Sequence, residues 1–345
     1  VRVLVVGIPG EQRVLALCAA LTEVGLDPLL LPWSLALHEP AQVWQALRPG
    51  DLLRVDSPAA DEPTSRALRR LGGDPGDELP AGTWRPGRAW ATGLDLAMRN
   101  LPDGTHPAAT TALMTDKHAC RDHLAAHGLP VPPGALAPEH PDAARAWMHE
   151  RRLAQVFVKP RWGSSGAGVL AWRRHGAREQ LTTTLRLHDG QLVQHKRLHR
   201  TTDPGQIDRL LGPVLRDGAV IERWIPKLGV GEHTLDLRVV VVDGQPALKV
   251  ARLARGPITN LHLNAHRADP ADLLPPKLLH ELDQLCARAA ATFPGHRAFG
   301  LDVLVDTTHR LWICECNAWG DDVRRVQQRG ATTWQLQARA LAGLA

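Results

Sequence analysis

Two runs decide how this chain folds: Phe299-Gly300-Leu301-Asp302-Val303-Leu304-Val305 and Leu311-Trp312-Ile313-Cys314-Glu315-Cys316-Asn317. Both are apolar and read as β-strands, joined by Asp306-Thr307-Thr308-His309. Two acids and an amide interrupt them, and carboxylates are rarely buried without a partner. Alternate residues of a strand share a face, so Glu315 and Asn317 point the same way. A two- or four-residue turn sets Asp302 opposite Ile313, and directly opposed residues share a face. Three oxygen-bearing side chains then converge, a set that suits a hard divalent cation, Mg²⁺ first. The competing reading is a set of strand-end polar groups bonded to backbone.

The 345-residue chain is long enough for two or three domains. Its 44% hydrophobic and 22% charged content is that of an ordinary soluble protein. No apolar run reaches the length of a membrane span. An apolar strand starts at Val1 with no basic stretch before it, so no signal peptide is expected. Cys18, Cys120, Cys286, Cys314 and Cys316 are odd in number and dispersed, which points to a reducing, cytoplasmic setting. Cys314 and Cys316 have the wrong spacing for a zinc knuckle and are expected to face away from Glu315, into the core. The net charge of +5 comes from scattered positives, so a nucleic-acid role is disfavoured. Of 41 basic residues only Lys117, Lys159, Lys196, Lys227, Lys249 and Lys277 are lysine. Compact ammonium groups needed at those places would explain this, and so would a compositional bias.

In chain order, Val1–Gly7, Pro28–Leu31 and Asp51–Val55 read as strands alternating with helices at 11–24 and 41–47, an α/β unit with a parallel sheet. Gly7-Ile8-Pro9-Gly10 lacks the dinucleotide fingerprint. Arg54, Asp56 and Ser57 end the third strand where such sheets bind ligands, although a turn before a helix explains them as well. Residues 72–87 read as a loop and 88–100 as a helix. Thr115 is a plausible cap for a helix carrying Asp116 and Lys117. Gln155–Lys159 is a strand, followed by a loop with Trp162, Gly163, Ser164, Ser165, Gly166 and Gly168. Its free N–H groups could cradle phosphate beside Lys159, and a plain hairpin turn fits equally. His195–Arg200 reads as a solvated basic face or loop. Thr234–Val242 and Gln245–Ala251, joined by Asp243-Gly244, form the clearest hairpin, and Asp236, Arg238, Lys249 and Arg252 interrupt its strands. Helices are expected over 275–291 and 321–344.

This ordered set resembles the ATP-grasp superfamily over roughly residues 112–320, nearest its ribosomal-protein-modifying glutamate ligase and glutathione-synthetase-like branch. The resemblance implies an ATP-grasp fold, two α+β subdomains sandwiching ATP, behind an N-terminal Rossmann-like α/β domain. The expected divisions are 1–105, 106–218 (lid subdomain) and 219–345 (adenine hinge and metal site). By resemblance Lys117 and Lys159 touch ATP phosphates, and residues 162–168 form the lid loop. Glu222, Trp224 and Ile225 form the adenine hinge. Glu232, or Lys227 in its place, meets the ribose. Asp302, Glu315 and Asn317 hold one or two Mg²⁺, with Mn²⁺ as a substitute. Arg238, Arg252 and Asn260 serve catalysis, although Asp236, Arg238 and Arg252 also read as a buried ion-pair set. After Asn317 this chain has Ala318-Trp319-Gly320-Asp321, where many relatives carry a Pro-Gly turn.

The activity implied is an ADP-forming carboxylate–amine or carboxylate–thiol ligase. It would act through an acylphosphate on an amino acid, a peptide or a small metabolite. A small-molecule kinase and a non-catalytic nucleotide sensor are the alternatives. Relatives form dimers and tetramers, and no surface feature in the sequence selects an oligomeric state.

Overall fold

A computed structural model describes the chain except residues 59–60, 76–78, 81, 164–165, 260–265, 321–322, 324–325, 329 and 345. Asn260, Ser164 and Ser165 therefore lie outside the described residues.

The first unit runs β1 (Arg2–Gly7), α1 (Gln12–Glu23), β2 (Asp27–Pro32), α2 (Trp33–His38), α3 (Pro40–Ala46), β3 (Leu52–Val55), α4 (Glu62–Leu71) and α5 (Arg88–Arg99). Its sheet is parallel, in the order β2-β1-β3. A central parallel strand is covered on both faces, which is why β1 reads as an unbroken apolar run. Leu4 and Val6 pack on one side with Trp33 and Leu94, and Val3 and Val5 on the other with Leu17 and Leu21.

Next come α6 (Ala108–Thr115), α7 (Lys117–Ala126), β4 (Gly134–Leu136), α8 (Pro141–Glu150), β5 (Gln155–Pro160), β6 (Leu170–His175), β7 (Arg178–His188), β8 (Gln191–Thr201), α9 (Pro204–Asp217) and β9 (Ala219–Arg223). Here the six-stranded sheet has the order β4-β9-β5-β6-β7-β8. Val156, Val158 and Ile221 face α8 and α9, against Met148, Leu211 and Leu215. Phe157, Lys159 and Glu222 occupy the opposite face, because strand side chains alternate. The strand β7 and the helix α9 have no counterpart in the sequence reading. Thr182-Thr183-Thr184 breaks the apolar signal of the first, and Gly212 and Pro213 sit inside the second.

The basic cluster, read as a solvated face or a loop, lies in edge strand β8 with His195, Lys196, Arg197 and Arg200 exposed. Thr183 pairs with His199 and Leu185 with Gln194, so residues 195–198 bulge out against Thr184 alone. A bulge carrying Lys196 and Arg197 keeps a sheet edge from pairing with other chains.

The last unit holds β10 (Gly229–Val230), β11 (His233–Val242), β12 (Gln245–Ala254), β13 (His266–Ala268), α10 (Pro276–Ala291), β14 (Ala298–Val305), β15 (Leu311–Asn317) and α11 (Thr333–Leu341). Its sheet runs β13-β12-β11-β14-β15, with β10 beside β11. The turn between β11 and β12 has both Asp243 (φ 45°) and Gly244 (φ 79°) left-handed, as a two-residue turn demands. Leu282, Cys286 and Phe293 fill the core under this sheet with Leu237, Val239 and Val303.

Three boundaries differ from expectation. Ala219–Arg223 pairs with β5 and β4, so the break expected at 218/219 falls one strand too early. Met114, Cys120 and Leu124 belong to the core of the last sheet, although a lid was expected from 106 onward. The helix expected from 321 begins at Thr333, where Thr332 and Gln335 form a capping box and Gln328 pairs with Ala331 just before it. No helix is long and apolar enough to cross a membrane among the described residues.

Candidate active site

The β14–β15 hairpin closes with Val305 opposite Leu311, so its turn is the five residues 306–310. An odd turn should send Asp302 and Glu315 to opposite faces. They share a face because a bulge at Cys314 adds a second odd step: Val303 pairs with Ile313, and Asp302 with Glu315. Asp302 thus stands opposite Glu315, and the expected pairing with Ile313 is corrected. Asp306 stabilises the turn by accepting hydrogen bonds from the N–H groups of Thr308 (2.8 Å) and Arg310 (2.9 Å) and from Trp312 Nε1 (2.9 Å). Burial works against its charge, but these donors win and hold the carboxyl at about 2.

The bulge also corrects the placing of Cys314. Cys316 is buried in the core as expected, but Cys314 turns into the cleft, where its Sγ accepts from Lys159 Nζ at 3.1 Å. Burial raises the Cys314 thiol, so it is neutral near pH 7. That one contact also shows that the middle sheet and the last sheet face each other across the cleft.

Acids and cations alternate along the cleft. Lys159 pairs with Glu222 at 2.5 Å, both side chains almost fully buried. Burial opposes the Lys159 ammonium, yet the carboxylates of Glu222 and Glu315 outweigh it and raise its pKa. Lys117, the first residue of α7, lies 3.1 Å from Glu315 and also donates to the Gly163 carbonyl. Burial would raise the Glu315 pKa, but Lys117, Lys159 and Arg238 lower it, so this acid stays ionised. With its amide set to oppose both neighbours, Asn317 donates to Glu315 Oε1 (3.2 Å) and accepts from Arg238 Nη1 (3.1 Å).

Asp302 Oδ1 lies 3.1 Å from both Arg238 Nε and Arg252 Nη2. The angles of those contacts are poor, and the oxygen is buried without a hydrogen-bond partner. An acceptor left open beside a second ionised acid and an amide fits a hard cation. Among the described residues no group of three or more His, Cys, Asp or Glu is placed to hold a metal. Two carboxylates and one amide fall below that count and would leave the remaining positions to phosphate oxygens and water.

A family model described as YheC/D-like ATP-grasp matches residues 141–340, more than half of the chain. The chain belongs to the YheC/D-like ATP-grasp family. The superfamily resemblance is met, within the YheC/D-like group. Solved structures share the fold, among them the three that follow. D-cycloserine synthetase DcsG is 13% identical with a TM-score of 0.64, and 99% of each chain is covered. The N5-carboxyaminoimidazole ribonucleotide synthetase purK, an ADP complex, is 12% identical with a TM-score of 0.60, over 100% of this chain and 77% of that one. Macrocyclase MdnC from Microcystis aeruginosa MRC, bound with precursor peptide MdnA, is 12% identical with a TM-score of 0.57, over the whole of both chains. A comparison with curated proteins finds no match.

Other residues of this ATP-grasp chain take less expected places. Asp116, not Thr115, caps α7: it accepts from the N–H groups of His118 and Ala119, while Thr115 ends α6. Asp116 also pairs with Arg161 at 2.6 Å. Trp162 is pinned at the root of the glycine loop, bridged to Asp116 and flanked by the guanidinium groups of Arg88 and Arg161. Gly166 (φ 71°) and Gly168 (φ 72°) are both left-handed. Trp224 stacks on Phe157 and under Arg173, and Ile225 is buried beside it. Glu232 is exposed and paired with Arg255, outside the cleft cluster.

Lys227 does not stand alone near the hinge. Its Nζ lies 2.5 Å from Thr259 Oγ1 and 3.4 Å from Asp236. Asp236 in turn binds Arg252 at 2.6 Å and accepts from Thr259. Burial lowers the Lys227 pKa despite Asp236. Asp236 is thus the shared counter-ion behind Arg252, a role that the alternating pattern of β11 hinted at without assigning. The buried ion pair anticipated for Asp236 and Arg252 is present, and Arg238 lies outside it, on Asp302. At the end of β3, Asp56 is fully buried and bound by Arg13 at 2.6 Å, with Arg54 at 3.6 Å.

Gly300 and Gly320 make room for Arg238. A Cβ on Gly320 would lie 2.6 Å from Arg238 Nη1 and 2.7 Å from Asn317 Cβ. Gly320→Ala is therefore expected to displace Arg238 and cut ADP release by about tenfold or more, as a misplacement of about 1 Å can. Steady-state ADP release measures it, and an unchanged rate would show that the close approach is not needed.

Proposed function

We propose that this chain is an ADP-forming, Mg²⁺-dependent ligase that joins a carboxylate to an amine, with an amino acid, a peptide or a small metabolite as substrate. The observation that carries the reading is the alternation of Lys117, Lys159, Arg238 and Arg252 with Asp302, Glu315 and Asn317, on two facing sheets and the first turn of α7. Cations of that number suit the phosphate oxygens of ATP, and the acids suit its metal. Bound Mg²⁺ supplies charge neutralisation at the phosphates. Asp302, Glu315 and Asn317 would hold it.

A carboxylate is a poor electrophile. Its oxygen attacks the terminal phosphorus, the bond to ADP breaks, and an amine then displaces phosphate from the acylphosphate. Most of the catalysis in such a transfer is positioning and charge stabilisation. Lys117 and Lys159 orient the phosphates, and Arg238 and Arg252 stabilise the transferring group and the later oxyanion. The backbone after Glu222 accepts the adenine edge between Trp224 and Ile225. Glu222 is itself committed to Lys159, so its part is to fix that lysine. The loop 162–168 covers the nucleotide and excludes water. Asn260 is carried over from the resemblance alone, as a residue acting on the acceptor or the phosphate. Glu232 meets the ribose only if the turn it occupies closes inward.

Hydroxylamine trapping tests the reaction class. An acylphosphate gives a hydroxamate in proportion to the ADP formed. A phosphate ester without hydroxamate would instead establish the kinase, and nucleotide binding without ADP release the sensor.

A further inference from the structure

The turn that follows the acid strand, Asn317-Ala318-Trp319-Gly320, is where this chain departs from the Pro-Gly pattern. Its backbone closes through Gly320 N–H donating to Asn317 O at 2.8 Å. Its outer residues are held by other parts of the molecule. Trp319 Nε1 donates to Val55 O at 2.9 Å, at the carboxyl end of β3. Arg13 Nη1 lies 3.5 Å from Trp319 O, and the same Arg13 binds Asp56 one residue beyond Val55. His296 Nε2 lies 3.2 Å from Ala318 O. The Trp319 ring packs against two cores at once, that of the first sheet and that of the last. It also lies parallel to His106, with centroids 6.3 Å apart.

These contacts have one geometric result. Asn317 is two residues from Trp319, and Gly320 packs under both Asn317 and Arg238. Asn317 pairs with Gly300 in the sheet, and the turn that follows it is tied to the first unit by a hydrogen bond. We propose that Trp319 is a positioning residue, tying the metal-facing end of β15 to the carboxyl end of β3 so that Asn317 and Glu315 are set only when the first unit is docked. This rests on the ATP and Mg²⁺ reading above and adds which residue sets that site. It gives the first unit a part in the reaction without a contact to the nucleotide.

The test compares binding of a non-hydrolysable ATP analogue with Mg²⁺ and with EDTA, by calorimetry. The ratio of the two affinities isolates the metal. Trp319→Phe keeps an aromatic ring and removes the N–H, leaving Val55 O unpaired. Its affinity in EDTA should stay within about twofold of the wild type, while its Mg²⁺ enhancement falls about tenfold. His296→Gln loosens the same turn from the other side and should act in the same direction, which keeps the test open should Trp319→Phe fold poorly. Leu21→Ala is the control. It perturbs the core of the first unit at a residue away from Arg13 and the turn, so it should lower thermal stability and leave the enhancement unchanged. A wild-type enhancement that Trp319→Phe and His296→Gln both retain, at whatever melting temperature, overturns the positioning role alone. A wild type with no enhancement overturns the metal reading, and this inference with it.

Discussion

Asp302→Asn is expected to lower Mg²⁺-dependent ADP release by on the order of 10²- to 10³-fold, the scale at which single electrostatic contacts to a transition state operate. The substitution must be to asparagine. Asp302 lies 3.1 Å from both Arg238 and Arg252, and alanine would leave two nearly buried guanidinium groups facing each other. Stripping one partner from a buried ion pair costs about 3–5 kcal/mol, so Asp302→Ala would confuse lost activity with lost fold. Asparagine keeps the shape and one acceptor oxygen, and gives up the charge a divalent cation needs. Glu315→Gln should act alike, with one difference. Lys117 and Lys159 lose a counter-ion, so nucleotide phosphates would compensate and the loss in binding would be smaller than the loss in rate. Wild-type rates in both variants, measured at saturating Mg²⁺, would sink the assignment of these acids.

The second large effect is on stability. Asp236→Asn should destabilise the chain by about 3–5 kcal/mol at pH 7, read by chemical denaturation. Asp236 is the shared counter-ion of Arg252 and Lys227, and all three are buried. Adding Lys227→Met removes one of the two stranded cations and should recover part of the loss. The pH dependence has a definite sign. Burial alone would raise the Asp236 carboxyl, but Arg252 and Lys227 hold it below the ordinary range. Its contribution is therefore complete above the unfolded value, about 3.9, and fades as pH falls through the lower folded value. The gap between wild type and Asp236→Asn should narrow only under acid conditions. A gap below about 1 kcal/mol at pH 7 would mean that water reaches the pair and screens it.

The family was legible because several short motifs stood in a fixed order, each weak alone. The site face was legible for a reason that proved incomplete. Strand alternation gave Glu315 and Asn317 a common side, but the turn was one residue longer than assumed and Cys314 bulged. Each change reverses the face of Asp302, and the two cancel. A bulge leaves little trace in one sequence, because Cys314 is apolar enough for either face. Lys117 and Lys159 were legible because lysine is scarce here and each sits in a motif of the resemblance, the Asp116-Lys117 helix and the strand before the glycine loop. The role of Asp236 needed the register of β11 against β12, which sets it directly opposite Arg252. The late start of α11 was hidden by a polar stretch that carries no helix breaker before Gly330.

The helix α11 has a consequence for how the protein can be taken apart. It lays Trp334 and Ala338 against α1 and β1, and Leu336 and Ala340 against β11 and β12. The last described helix of the chain thus supplies a wall of the first unit. A fragment ending at residue 105 would leave Val3, Val5 and Leu17 without that wall. A chain cut before residue 333 would bare apolar surface on two sheets at once. For fusion, domain exchange or expression of parts, the first hundred residues and α11 behave as a single piece that the ATP-binding portion interrupts.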